Sequence, residues 1–463
     1  MNAENTEADN TETGKAEPEK TALQSIIELL RQDMTEQIDV LLQDMHPADI
    51  AHLLESLPGS DRQVVWQHVP DDVHGETLIH MNEEARAQLM RGMEAGQLVA
   101  ATETLDTDDL ADILAEMPQA VIQELLLTME QQDRERLRSV LSYPEDSAGG
   151  LMDLETVMVR ADVSLDVVLR YLRRRGNIPA ATDTLFVVDR ETKFLGLLPL
   201  TRLLTEEPSQ LVSKVMQADV SAIPAETNAT EVANLFERRD LITAPVVDDN
   251  NHLLGRITID DVVDVIRDEA DHSLLSMAGL NEEDDMFAPV ISSARRRAVW
   301  LGINLLTAFL ASWVIGRFDA TIQHLVALAV LMPIVASMGG IAGSQTLTLV
   351  IRGMALGQVT ESNAHRLFLK ELSIGIWNGL IWAIIIALIA GLWFQNLGIG
   401  IVMGSAIIIN LIAAAAAGAT IPLLLRRFGA DPALSGTVIL TTVTDVVGFF
   451  SFLGLATLFL IKQ

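Results

Sequence analysis

The sequence predicts a multidomain chain. It comprises an all-α superhelical N-terminal domain, a duplicated α/β pair, an acidic connecting helix and a five-helix transmembrane domain. Three observations carry this reading. The 463 residues allow about three domains at roughly 150 residues each. Charge is partitioned: from Ala298 onward there are seven Lys/Arg and five Asp/Glu, leaving 25 and 58 for residues 1–297, so a body of −33 precedes one of +2. Two internal repeats, at offsets of 60 and 59 residues, divide the acidic body. The net charge of −31 argues against nucleic acid, whose phosphates need a basic face, and favours a cation as partner. Zero cysteine excludes disulfides, thiolate zinc sites and thiol catalysis, and suits a reducing cytosol.

Residues 1–20 are Glu, Thr, Asn and Asp with almost no apolar side chain, the composition of a disordered tail. From 21 to 141 the apolar spacing is helical. The stretch His46 to Pro58, with Ile50, Leu53, Leu54 and Leu57, recurs as Asp106 to Pro118, with Leu110, Ile113, Leu114 and Met117. Amphipathic helices separated by Pro stops suggest a short superhelix whose neighbours bury each other's faces.

The second repeat spans 142–210 and 211–267. Val187-Val188-Asp189 and Gly196 recur as Val246-Val247-Asp248 and Gly255, each after a helix-like stretch, which gives a β-α-β-β-α unit in duplicate. The second copy resembles a CBS (cystathionine β-synthase type) domain through Gly255-Arg256-Ile257-Thr258-Ile259-Asp260-Asp261. That resemblance implies adenine nucleotide as a cofactor, with Thr258 and Asp261 at its ribose and phosphate. The first copy reads Gly196 to Arg202 and lacks both polar groups. Carboxylates then crowd an acidic connecting helix, expected over 268–297. Asp261, Asp264 and Asp268 share one helix face, where like charges repel unless water or cations neutralise them. The run reads either as a solvated helix or as a site for an oxygen-loving cation such as Mg²⁺.

In 298–463 the apolar tracts are long enough for membrane spans, which need about 20 apolar residues. The charge-free tract Leu372–Leu425 is too long for one crossing and holds a turn signal at Gln395-Asn396-Leu397-Gly398, so the total is five. No hydrophobic N-terminal signal is visible, so the acidic body is expected in the cytosol and the C-terminus outside. The basic residues agree: Arg295, Arg296, Arg297, Arg352, Arg366, Lys370, Arg426 and Arg427 fall on inside loops, against Arg317 and Lys462 outside. Asp445 lies near the middle of the fifth span, where a carboxylate either faces water or an ion, or stays protonated against a neighbouring helix. Pro333 and the run from Ser337 to Gln345 supply helix-breaking or small positions. They suggest a span unwound along a watery path, with Gly339, Gly340, Gly343, Ser344 and Gln345 as pore-lining candidates, or else close helix packing.

An enzyme is disfavoured: no nucleophile is paired with a base, zinc-type His spacing is absent, and His324 is the only histidine inside a span. A receptor would not need Asp445 at mid-span. A proton-coupled carrier would call for a relay of further ionisable groups.

The order of superhelix, α/β pair, acidic helix, Arg295-Arg296-Arg297 and five spans resembles the MgtE family of bacterial magnesium transporters over nearly the whole chain. The local matches are Ser142 to Gly149, Gly255 to Asp261, Phe287-Ala288-Pro289 through Arg297, Ser337-Met338-Gly339-Gly340, Asp431-Pro432-Ala433 and Thr441 to Gly448. The resemblance implies a homodimeric, Mg²⁺-selective channel in the lipid of the inner membrane, with its pore at the dimer interface and closed by high cytosolic Mg²⁺. Asp445 then holds a hydrated Mg²⁺ close to the backbone at Thr441. Asp108, Asp112, Asp240, Asp261, Asp264 and Glu269 match the regulatory carboxylates. Ile341, Ser344, His272 and Ser273 depart from the family pattern. A broader divalent carrier that also takes Co²⁺ is the alternative.

Overall fold

The structure, a computed structural model, describes residues 16–461 except 33, 103, 104, 106, 118, 130, 180, 282–284 and 361. The side chains of some helical-domain residues, Asp108 and Asp112 among them, also lie outside the described residues. The chain forms two compact units, Met1–Asp268 with Glu283–Pro289, and Glu269–Glu282 with Val290–Gln463.

The first unit opens with a helix over Ala16–Arg31, which starts inside the expected tail, and continues as short helices. The repeat explains their packing. Ile50, Leu53, Leu54 and Leu57 are buried, and so are their counterparts Leu110, Ile113, Leu114 and Met117, so both copies turn the same face inward. The helix Pro47–Glu55 is started by Pro47 and by the His46 ring, which accepts from the Ala48 N–H at 3.2 Å.

Each α/β copy has the expected order. β1 (Met158–Arg160), the helix Leu165–Arg175, β2 (Thr184–Val188) and β3 (Phe194–Pro199) are matched by β4 (Ile223–Pro224), the helix Ala229–Arg239, β5 (Thr243–Val247) and β6 (Leu253–Thr258). In each sheet the first pair is parallel and the second antiparallel, with a register shift at Val187/Val188 and again at Val246/Val247. Thr192 and Asn251 hold the same left-handed turn position and cross-link the copies: Phe194 N–H donates to Asn251 O at 2.9 Å, and Leu253 N–H to Thr192 O at 3.0 Å. Phe186, Phe194, Val247 and Leu253 pack between the two sheets. Arg256 is buried against Asp153 at 2.9 Å.

Among the described residues the second unit holds five long apolar helices: Val290–Gly316, Ala327–Ala355, Ala364–Trp393, Leu397–Arg427 and Pro432–Ile461, here spans one to five. The first begins at Val290, so Arg295–Arg297 lie on its early turns rather than before it. The long charge-free tract does turn where expected, at a left-handed Gln395 and at Asn396, whose Oδ1 accepts from the N–H groups of Gly398 and Ile399. Span four is the most buried of the five.

One expectation is corrected. Span two is a continuous helix through Pro333 and the glycine run, with no unwound segment. Its glycines are notches for neighbours. A Cβ on Gly339 would collide with the Asn410 amide of span four, one on Gly343 would come within 2.8 Å of Leu440 of span five, and one on Gly340 would meet nothing within 4 Å. A Cβ on Gly448 of span five would likewise come within 2.8 Å of the Asn410 amide. We therefore expect Gly339→Ala and Gly448→Ala each to destabilise the detergent-solubilised protein by about 1–3 kcal/mol in thermal unfolding, and Gly340→Ala to leave it unchanged. Equal effects at all three positions would contradict the notch assignment.

Candidate functional site

Span five is fixed at its start by Asp431, whose carboxylate accepts from Ala433 N–H at 2.9 Å and Leu434 N–H at 3.0 Å, with Pro432 in the first turn. Its packed side is Leu440, Thr444, Gly448 and Phe452. Thr441 and Asp445 are one turn apart on another side, and both are half-buried. The threonines there use their hydroxyls within the helix: Thr441 donates to Val438 O at 3.1 Å, Thr442 to the same oxygen at 2.7 Å, and Thr444 to Thr441 O at 3.0 Å. Among the described residues Asp445 has neither a hydrogen-bond nor an ion-pair partner. A half-buried carboxylate at mid-span without a protein partner among the described residues is a group that attracts a cation.

The span-two candidates divide between two roles. Gly339 and Gly343 are buried in helix contacts, whereas Gly340 and Ser344 are half-buried and Gln345 is exposed. Ser344 donates to Ile341 O of its own helix at 2.9 Å.

Two polar groups in this unit escaped the sequence reading. Asn410, fully buried in span four, donates through Nδ2 to Val335 O of span two at 2.8 Å, while its Oδ1 has no partner among the described residues. It stands where spans two, four and five meet. Its signal was an isolated amide within the apolar run Ile408 to Ala417. Glu371, 3% exposed in span three, accepts from Thr346 Oγ1 of span two at 3.2 Å and lies 3.7 Å from Lys370. It borders the charge-free tract, and span three starts seven residues before it, at Ala364.

The last part of the connecting helix belongs to the membrane unit. His272 Nε2 lies 3.4 Å from Asp431, the carboxylate that caps span five, and Thr348 Oγ1 of span two donates to Met277 Sδ at 3.6 Å. The acidic helix thus ends in contact with the spans that carry Asp445 and the glycine run.

The connecting helix starts at Ile259 rather than near residue 268, and runs to Ser276. Thr258 and Asp261 open it as half of a capping box: the N–H and Oγ1 of Thr258 donate to Asp261 Oδ2 at 3.0 and 2.9 Å. That leaves the other Asp261 oxygen free of Thr258. Asp264 is exposed and Glu269 half-buried farther along the same helix. Asp240 sits exposed in a left-handed position at the end of the helix Ala229–Arg239. Among the described residues no three His, Asp or Glu side chains converge on a metal position. A cation held here would keep several waters and use one or two carboxylates, which is the habit of Mg²⁺.

Burial pushes the Asp261 carboxyl up from its ordinary 3.8 to about 6, against the opposing hydrogen bonds from Thr258. Because the folded value is the higher one, the bound proton stabilises the fold. This contribution is complete below about pH 3.8 and is lost as pH rises through about 6. Asp261→Asn keeps an acceptor for Thr258 and removes the buried charge. In divalent-free buffer at pH 7.5 the variant should be more stable than the parent by on the order of 1–2 kcal/mol, after discounting for partial exposure. The gain should disappear towards pH 4. Thermal unfolding across this pH range tests it, and a parent at least as stable as the variant at pH 7.5 contradicts it.

Comparison with known proteins bears on the whole architecture. A family profile described as a divalent cation transporter, MgtE, matches residues 332–455, the MgtE intracellular N domain profile matches 45–146, and a CBS domain profile matches 212–268. The magnesium transporter MgtE of Thermus thermophilus is 31% identical over 448 residues, covering 96% of this chain and 99% of the relative. That of Bacillus subtilis is 28% identical over 435 residues, covering 94% and 96%. Among solved structures, the cytosolic domain of the Mg²⁺ channel MgtE in complex with ATP is 32% identical with a TM-score of 0.48, covering 52% of this chain and 99% of that one. The chain belongs to the MgtE family of divalent cation transporters.

Proposed function

We propose that the protein is a homodimeric, Mg²⁺-selective uptake channel of the bacterial inner membrane, with its pore at the dimer interface, its N-terminal domains in the cytosol and its C-terminus outside. The observation that carries this is Asp445, half-buried at mid-span with no partner among the described residues. The 31% identity to a magnesium transporter over nearly the full length of both chains points to the same ion.

Mg²⁺ gives up its water reluctantly, so a pore with one carboxylate per subunit and small residues around it binds the hydrated ion without stripping it. Asp445 supplies the charge, the carbonyl at Thr441 an acceptor for a water of hydration, and the open side of span two, at Gly340, Ser344 and Gln345, the width. Gly339 and Gly343 hold that wall against spans four and five. The acidic body supplies control. Its carboxylates, with Asp108, Asp112, Asp240, Asp261, Asp264 and Glu269 as ligands, repel one another until cytosolic Mg²⁺ neutralises them, and the neutralised domains close and shut the pore. Adenine nucleotide at Thr258 and Asp261 would meet a carboxyl already engaged with Thr258, which supports Mg²⁺ rather than nucleotide as the ligand of that helix end.

In liposomes loaded with a Mg²⁺ indicator, Asp445→Asn should reduce Mg²⁺ influx by about 100-fold while the dimer still assembles, because the amide keeps the shape and loses the charge. Influx equal to the parent's removes Asp445 from the pathway, and Co²⁺ influx as fast as Mg²⁺ influx replaces Mg²⁺ selectivity with a broader divalent carrier. Replacing Asp261, Asp264 and Glu269 together by amides should leave maximal flux intact and raise the inhibitory Mg²⁺ concentration about tenfold, since a bridging cation has lost its ligands. Unchanged inhibition returns those residues to an ordinary solvated helix.

A further inference from the structure

Arg62 is, among the described residues, the largest fully buried side chain of the helical domain, and its partner comes from a distant part of the sequence. Its guanidinium is held by three groups of the domain itself: Nε donates to Leu54 O at 2.9 Å, Nη2 to Leu57 O at 3.2 Å, and Nη1 to Gln88 Oε1 at 3.1 Å. These fix the fork at the end of the helix Pro47–Glu55. Against it lies Asp285, with Oδ2 2.8 Å from Nη1 and both side chains almost wholly excluded from solvent, at 0% and 1% exposure. The Asp285 N–H donates to Glu84 Oε2 at 2.8 Å, and Asp285 Oδ1 accepts from Phe287 N–H at 2.8 Å. A charge enters the domain and an amide is received beside it, so the segment docks in one orientation.

The position of Asp285 in the chain gives this pair its meaning. It belongs to the acidic run that the sequence offered as a cation site, yet it is spent on an arginine. Pro289 is the last residue of that docked stretch, and Val290 is the first residue of span one. A buried ion pair contributes little net stability, because desolvation offsets attraction, and its best-attested use is to fix one register. Here the register is that of the peptide leading straight into the membrane.

We infer that Arg62 is a positioning residue for transport: through Asp285 it straps the peptide that enters span one onto the helical domain, so that a shift of this domain is passed to the first span along the chain. The inference rests on the reading that cytosolic Mg²⁺ closes the pore through the acidic domains. With the strap intact, domain closure loads span one directly. With the strap cut, the domains bind Mg²⁺ as before but the first span no longer follows them.

The test is Mg²⁺ flux in proteoliposomes as a function of Mg²⁺ on the side of the soluble domains. The parent comes first, and a parent indifferent to that Mg²⁺ overturns the gating reading and the strap with it, before any variant is made. In a gated parent, Asp285→Asn should raise the inhibitory Mg²⁺ concentration about tenfold with maximal flux unchanged, a shift within the usual range of coupling between sites. The full-length protein has no cysteine, so the double variant Arg62→Cys/Asp285→Cys carries the only two thiols. This pair serves even where Asp285→Asn fails to fold, because one folded preparation is compared in two states. Reduced, it should need the higher Mg²⁺ concentration; joined by a bifunctional thiol reagent, it should return to the parent's. Inhibition at the parent's concentration in the reduced protein, or a shift that cross-linking does not reverse, overturns the strap.

Discussion

A carboxylate at mid-span, without a partner among the described residues, is the constraint around which the membrane unit is arranged. An ionised group there needs water, a cation or a polar partner, and the side of span five that carries Asp445 and Thr441 is only half-buried while its other side is packed. The two sides of the helix accordingly have opposite chemistry. On the packed side Leu440, Thr444, Gly448 and Phe452 are buried, and the one hydroxyl among them turns back to its own helix. Rotating the helix by a single residue, about 100°, would carry Asp445 into the packed place of Thr444 and bury the charge.

Something has to prevent that rotation, and small residues provide it. Apolar helices in lipid gain little from hydrophobicity alone, so close backbone approach and interhelical hydrogen bonds decide their order. Gly339 and Gly448 open space on spans two and five for the same Asn410 amide, which then bonds Val335 O. A side chain that needs notches on two neighbours fixes both their height and their rotation. Glu371 and Thr346 add a second polar tie, between spans three and two.

Charge and periodicity made much of this legible. The +2 membrane part and its five spans, the duplicated α/β unit and the helical repeat all follow from features that any fold of the chain must respect: apolar length, alternation and identical faces. Asp445 stood out in the sequence because it is one carboxylate in a long apolar run, and the structure leaves it half-buried at mid-span. Arg62 was not, since an arginine on a short amphipathic helix reads as solvent-facing and its partner lies more than 200 residues away. Asn410 and Glu371 were hidden for a related reason, because whether a polar residue near or within a span faces lipid or a neighbour depends on tertiary packing. The glycine run misled in a definite way. Glycine lowers helix propensity in water, but in a span whose backbone groups have no solvent to bond, the helix persists and glycine becomes a packing surface.

The two kinds of electrostatic contact in the acidic body have different dependence on cations, and this separates their roles. Exposed carboxylates on a body of charge −33 repel over distances set by screening, and divalent ions that bind them lower that repulsion. The Arg62–Asp285 pair is neutral as a whole and sealed from water, so neither Mg²⁺ nor salt has access to it. A response to cytosolic ions needs the first kind of contact, because only an exposed carboxylate can report a concentration. In the proposed gating, passing that response into the membrane would need the second, because a link that loosened with the same ions would release the first span at the moment it had to be moved.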